Sequence, residues 1–560
     1  MHGSRLSLFG SATASLLGSL ALVACSAGST ADTATQNQPT TAGDVLPGAP
    51  SANPGGSDAP SGQASPADPQ APVAGDPQTP ATSGDPGGVD TATPADPAAT
   101  ADPVDPTAEP DPTTANPTDP AVPAQPDPTE PAEFPFVEEV IDVTDVWSGH
   151  PVEFGLVTRG NEQFISYYDQ NQVMTVAKRT LGTGTDSSVW QTVSLPSVVG
   201  WDSHNYISMA LDGAGQVHVS GNMHDDPLVY FRTTTPGDIT TFEQQGMLGA
   251  NESSCTYPEF FDGPSGDLVF NYRDGASGNG NTIFNALDPA TGVWRRLLDA
   301  PIADGEGLRN IYPVGPTLGP DGMWHLVWVW RDTPDATTNH DLSYARSPDL
   351  INWERGDGTP LSVPITLGTA DIVDPVPSGG GMINNNTIIG FDGQNRPVIA
   401  YHKYDSDGIT QLYNARLENG QWQVYQTSNW DYRWDFGGGG TLVFEIIVDG
   451  VRTTPDGTLV QNWFHAQMGG NGAFELAEAD LSSLAQIEPP LPYTRDLDVP
   501  QSPTEGMVVR WQPDSGQSPD PGLEYLLRWE TLESNRDLPR EVIPPPTRLR
   551  VYGFRQTPAP

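Results

Sequence analysis

The 560-residue chain has two cysteines and two lysines, and its 25 basic side chains face 71 acidic ones. A sequence pI near 4.1 excludes the basic stripe with which a nucleic-acid binder displaces phosphate counterions. No Cys/His spacing reaches the specificity of a zinc motif. Long apolar runs are also missing. The best one lies within residues 1–25 and is too short and too interrupted by Gly and Ser to span a bilayer. Helical periodicity is scarce as well, its best candidate being the stretch from Leu476 to Leu484.

What is abundant is Gly and Pro, 59 and 57 residues, and their placement divides the chain. Residues 1–25 read as a secretory signal, and the small residues before Cys25 resemble a bacterial lipobox, which implies that Cys25 is lipidated. The expectation is an exported bacterial lipoprotein, held to a membrane through its N-terminal lipid alone. Residues 26–133 hold 23 prolines and 16 acids, with no Lys, Arg or aromatic residue. Such a segment cannot bury enough apolar surface to offset its ordering entropy, so it is expected to be a disordered tether. Cys255 is then left without an intrachain partner, and residues 134–560 form the folded part, expected to be monomeric.

Beyond Phe134 the pattern changes to short alternating strands, which makes the folded part all-β. Asp-Gly turns recur at Asp212, Asp262, Asp321, Asp392 and Asp456, spaced 50, 59, 71 and 64 residues apart, each leading into an apolar strand. That period suits the four-stranded blades of a β-propeller. Five such units, an N-terminal stretch at 163–178 and C-terminal strands at 524–529 and 547–554 predict seven blades, with six as the alternative, the last completed by both chain ends. A β-sandwich array has no reason to repeat at this period. The segment Ser347 to Trp353 resembles the Asp-box turn of bacterial neuraminidase (BNR) repeats, in which Asp satisfies turn amides and Trp packs beneath.

Chemistry-bearing residues cluster in a few loops: Trp201-Asp202-Ser203-His204-Asn205, Asn222-Met223-His224, Thr256-Tyr257-Pro258, Tyr272-Arg273-Asp274 and Arg309-Asn310-Ile311-Tyr312. In these, His204, His224, Tyr257, Arg273 and Tyr312 resemble the active-site series of the propeller-fold polysaccharide lyases that cleave ulvan, within the wider BNR-repeat family. The resemblance implies a lyase for an anionic, uronate-containing polysaccharide. Such an enzyme needs a cation on the carboxylate, a base near C5 and an acid near the leaving O4. It implies Arg273 as neutraliser, Tyr257 as acid and also as a candidate base, and His204 as base or carboxylate partner. His224 and Tyr312 then support substrate geometry. The neighbouring Arg is expected to lower the pKa of Tyr257. Asn205, Arg309 and His402 are expected to touch substrate, whereas His218 and His325, inside strands, are expected to be structural.

The chemistry requires no cofactor. A structural zinc or calcium is left open, with His340, His402 and nearby acids as candidate ligands; Asp405 to Gly408 does not fit an EF-hand loop. Two other functions stay in view. A sialidase-like hydrolase would need three arginines on one carboxylate; Arg273, Arg309, Arg331 and Arg433 are available, but an early Arg-Ile-Pro element is missing. A non-catalytic glycan-binding propeller needs no turnover at all.

Overall fold

The computed structural model describes residues 135–182, 188–489 and 493–556; the signal segment, Cys25 and the 26–133 segment lie outside these. Apart from short 3-10 turns, the described chain is strand and loop, arranged in seven antiparallel sheets that follow one another along the sequence as the blades of a β-propeller. Blades 1 to 6 begin with the inner strands Gly155–Arg159, Ile207–Leu211, Cys255–Asp262, Asn310–Leu318, Ile388–Phe391 and Ile446–Val448. Blade 7 runs Met507–Pro513, Leu523–Leu532, Thr547–Arg555 and, outermost, Phe136–Val146. The first described strand therefore pairs antiparallel with the last, Phe136 opposite Arg555 and Val146 opposite Thr547.

The Asp-Gly turns close the inner hairpins of blades 2 to 6. Asp212 Oδ1 accepts from the amides of Ala214 and Gln216, and Asp392 Oδ1 from those of Gln394 and Arg396. A carboxylate that caps its own turn fixes a two-strand register locally, which is why the signal repeats. His218 and His325 hang from two of these turns. His218 lies between Asp212 and the Tyr230 hydroxyl, and His325 between Asp321 and the Tyr344 hydroxyl; both rings are fully buried.

In the Ser347 to Trp353 turn, Asp349 Oδ1 accepts from the amides of Ile351 and Asn352, and the buried Trp353 donates to Leu350 O. Between blades, aromatic and aliphatic faces interlock: Phe284, Trp324, Trp328, Trp330 and Trp353 form one apolar cluster across blades 3 and 4. Each such side chain contributes about 1.5–3 kcal/mol by leaving water. Cys255 is a free, buried thiol. The stretch from Leu476 to Leu484 is not helical. It is the end of the strand Gly470–Leu476, a turn with Leu481 at φ 54°, and the start of Ser483–Ile487, so the apolar spacing reflects a hairpin of blade 6.

Candidate functional site

The loop entering blade 2 carries His204. Asp202 Oδ1 accepts from the His204 amide at 2.9 Å and from its Nδ1 at 2.6 Å, so residue 202 folds the loop and aims the ring. The other carboxylate oxygen, Oδ2, takes Nδ1 of His224 at 2.5 Å. One carboxylate thus holds two imidazoles, which stack with ring centres 4.0 Å apart. Burial by itself pushes the Asp202 carboxyl up, but the hydrogen bonds and charges of His204 and His224 outweigh this and hold it well below the carboxylate range. Both Nδ1 atoms are taken up by Asp202, so Nε2 is the nitrogen of each ring left for other chemistry.

His224 reaches this place by leaving its own blade. The short strand His224–Asp226 pairs with Cys255–Asp262 of blade 3, with His224 opposite Thr256. Thr256 Oγ1 accepts from the Asp225 amide and from Arg273 Nη2, both at 2.8 Å, tying His224 to Arg273. Next along the strand, Tyr257 sits in a β-bulge at φ 58°. A left-handed aromatic residue before proline is strained by about 1–3 kcal/mol. The bulge turns the phenol away from the sheet, 5.7 Å from the His204 ring and 6.0 Å from that of Tyr312.

Arg273, 3% exposed, lies over the Tyr257 ring at 5.1 Å. Its Nε donates to Gly275 O at 2.9 Å, while Nη1 is buried with no hydrogen-bond partner among the described residues. Gly275 makes this clasp possible: at φ 115° a Cβ would stand 2.6 Å from Asn279 O. Arg273 forms no ion pair with Asp274, whose carboxylate accepts from Asn251. Blade 4 repeats the arrangement. Arg331 donates from Nε to Thr333 O and stacks on Tyr312 at 5.4 Å, and the Tyr312 hydroxyl bonds Ser277.

The five residues of the lyase-like series therefore form one continuous cluster. Tyr257 departs from expectation in its acidity. Burial, with Tyr312 adding to it, pushes the phenol well above its ordinary value, against the opposing pull of Arg273 and Arg331. Other expected contacts are held elsewhere. Asn205 is buried, its backbone carbonyl accepting from the Tyr168 hydroxyl while its side-chain Oδ1 has no partner among the described residues. Arg309 is paired with Asp332 and Glu306. His402 is 1% exposed against Trp434 and Phe436, and burial pulls its pKa to about 4.

His340 is bonded to Asp332 and Asp341, away from His402. Among the described residues, the group close enough to share a metal ion is Asp202, His204 and His224, with ligand atoms within 4.8 Å. An ion there would have to displace the two Nδ1 hydrogen bonds.

Residues that carried no motif complete the site. Asn385 hydrogen-bonds the Tyr257 side chain. Thr441 Oγ1 lies 3.3 Å from His204 Nδ1, and Asp537 Oδ2 lies 3.9 Å from the same atom. Beside them, a cleft of about 440 Å³ is lined by Trp434, Phe436, Thr441, Glu445, Arg536 and Leu538.

A seven-bladed β-propeller with an Asp-tethered histidine pair, a strained tyrosine and a buried arginine defines the class. Residues 162–430 match the family model described as BNR repeat-containing family member. No curated protein matches the chain. A solved polysaccharide lyase, Uly1, superposes over 75% of this chain and 100% of its own with a TM-score of 0.51 at 13% identity. An ulvan lyase described as a new polysaccharide lyase family, PL25, covers 74% and 95% with a TM-score of 0.48 at 13% identity.

Proposed function

We propose that the chain is a polysaccharide lyase that cleaves a uronate-containing anionic glycan by β-elimination. The observation that carries this reading is the run of contacts from the His204–His224 pair through Tyr257 to Tyr312 and to Arg273, whose Nη1 is buried and has no partner among the described residues. A buried guanidinium N–H without an acceptor is costly, and a ligand carboxylate would satisfy it. With the uronate charge neutralised, the C5–H bond is acidified. His204 Nε2 takes that proton, the electron pair forms the C4=C5 double bond, and the C4–O4 bond breaks as the Tyr257 hydroxyl protonates O4. The raised pKa of Tyr257 keeps the phenol protonated, which suits the donor and not the base, so His204 is assigned the base. His224, on the other oxygen of Asp202, fixes the plane of His204.

The test is turnover of ulvan and other uronans, read as ultraviolet absorbance of the unsaturated product. His204→Ala and Tyr257→Phe are each expected to lose about 100-fold or more in kcat. Absence of activity on every uronan, or an active Tyr257→Phe, would sink the assignment.

The sialidase alternative has less support. Arg309 is paired with Asp332, Arg331 bonds Thr333 O and Asn384, and Arg433 pairs with Asp435 and Gly408 O, so no triple-arginine site is assembled among these four. The same reading places the enzyme on a membrane through a lipid at Cys25. Replacing Cys25 with Ala is the control that should release it.

A further inference from the structure

The loop joining Leu523–Leu532 to Thr547–Arg555 in blade 7 meets the His204 loop through Asp537. Its Arg536 and Asp537 both adopt left-handed backbone, φ 51° and 61°, a strained pair for side-chain-bearing residues. In that conformation the Asp537 carboxylate is shared between two other loops. Oδ1 accepts from the Ser203 amide at 3.1 Å, 334 residues away, and Oδ2 from the Thr441 amide at 2.7 Å. Thr441 in turn puts its hydroxyl 3.3 Å from His204 Nδ1. Arg536 Nη1 fastens the same connection through Gly437 O at 2.9 Å. The base of the loop is anchored too: the Leu532 amide donates to Ser148 O and Arg540 Nε to Gly149 O.

From this geometry we infer that Asp537 is a positioning residue for His204, a clip supplied by the closing blade that locks the loops entering blades 2 and 6 around the imidazole. Residue 537 lies outside the stretch matched by the BNR-repeat model, which ends at 430. The clip acts on the backbone of residue 203 and on Thr441, and so fixes where His204 sits. A displacement of the ring near 1 Å is enough to lower turnover by about 100-fold. Its kinetic arm rests on the lyase reading; its structural arm does not.

The experiment is hydrogen–deuterium exchange and steady-state kinetics on the full chain with Asp537→Ala and Asp537→Asn. In Asp537→Ala, peptides covering 199–206 and 437–445 are expected to exchange faster while the blade strands keep their protection. The kcat should fall at least 10-fold and KM stay within about 2-fold. Asp537→Asn keeps one oxygen and should fall between. Should Asp537→Ala misfold, Arg536→Ala, which loosens the same loop from outside, is expected to give the same exchange pattern at smaller amplitude. Unchanged exchange at 199–206 in a folded variant, or a kcat within 2-fold of the parent, would overturn the inference. If the parent cleaves no uronan, the lyase reading fails alone and the exchange result still decides the clip.

Discussion

His150 stands behind the site, 2% exposed, accepting at Nδ1 from Trp147 Nε1 at 3.0 Å. Burial pulls its pKa from 6.5 to about 4, against the backbone of Asp202 and the charge of Asp537, with Arg540 facing it from the closing blade. A histidine with a depressed folded pKa stabilises the fold fully above its unfolded value. That contribution is lost as pH falls from 6.5 towards 4, a loss of about 3 kcal/mol. In urea titrations between pH 7 and pH 4, His150→Asn is therefore expected to show a shallower decline in stability than the parent chain. Parallel declines would show that another group sets the acid limb. At Tyr257 the opposite sign applies: a phenol held above its usual value stays protonated through the neutral range, as the proposed role of proton donor to O4 requires.

Strands here do more than build sheets; some carry side chains that hold neighbouring loops. Arg528, buried in Leu523–Leu532, donates to Leu497 O and Val499 O and pairs with Glu530 at 3.0 Å, while Glu530 accepts from the amides of Gln501 and Ser502. Arg528→Ala leaves a buried carboxylate unpaired and is expected to cost about 3–5 kcal/mol in denaturant unfolding. Arg528→Lys should recover little, because an ammonium cannot span three acceptors in one plane. A loss below 1 kcal/mol would refute the role.

Elements with their own local chemistry are readable from sequence: the carboxylates of Asp212, Asp321, Asp392 and Asp456 accept from amides of their own Asp-Gly turns, and with Asp262 they mark the inner hairpins of blades 2 to 6. Blades 1 and 7 lack that turn and showed only as alternating strands. His204, His224, Tyr257, Arg273 and Tyr312 could be picked out by residue type and neighbours. Asp202 stands in the Trp201–Asn205 segment, but its hold on both imidazoles, like the contacts of Thr441 and Asp537, exists only once distant loops meet. The acidity of Tyr257 departs from the sequence expectation for the same reason: Arg273 is visible in sequence, the burial of the phenol is not.

Closure of the whole ring rests on Phe136–Val146 as the outer strand of blade 7. Arg555 reinforces it with a two-pronged bond to Glu138 and a further one to Asp520. A chain begun at Glu133 is expected to unfold in one cooperative transition at the parent Tm. One begun at Trp147 should lose that transition or melt well below it, measured by calorimetry; equal Tm values would show that blade 7 closes without its fourth strand. The two partners in this closure, Glu138 and Arg555, are 417 residues apart. At a synthesis rate of about 5–20 residues per second, the first strand waits some 20 to 80 s for its mate. Blades can form as they emerge, but the ring cannot shut, nor can the Asp537 clip reach His204, until the chain is almost complete. The site is therefore assembled last, so a chain cut short near its C-terminus has neither a closed ring nor a finished centre.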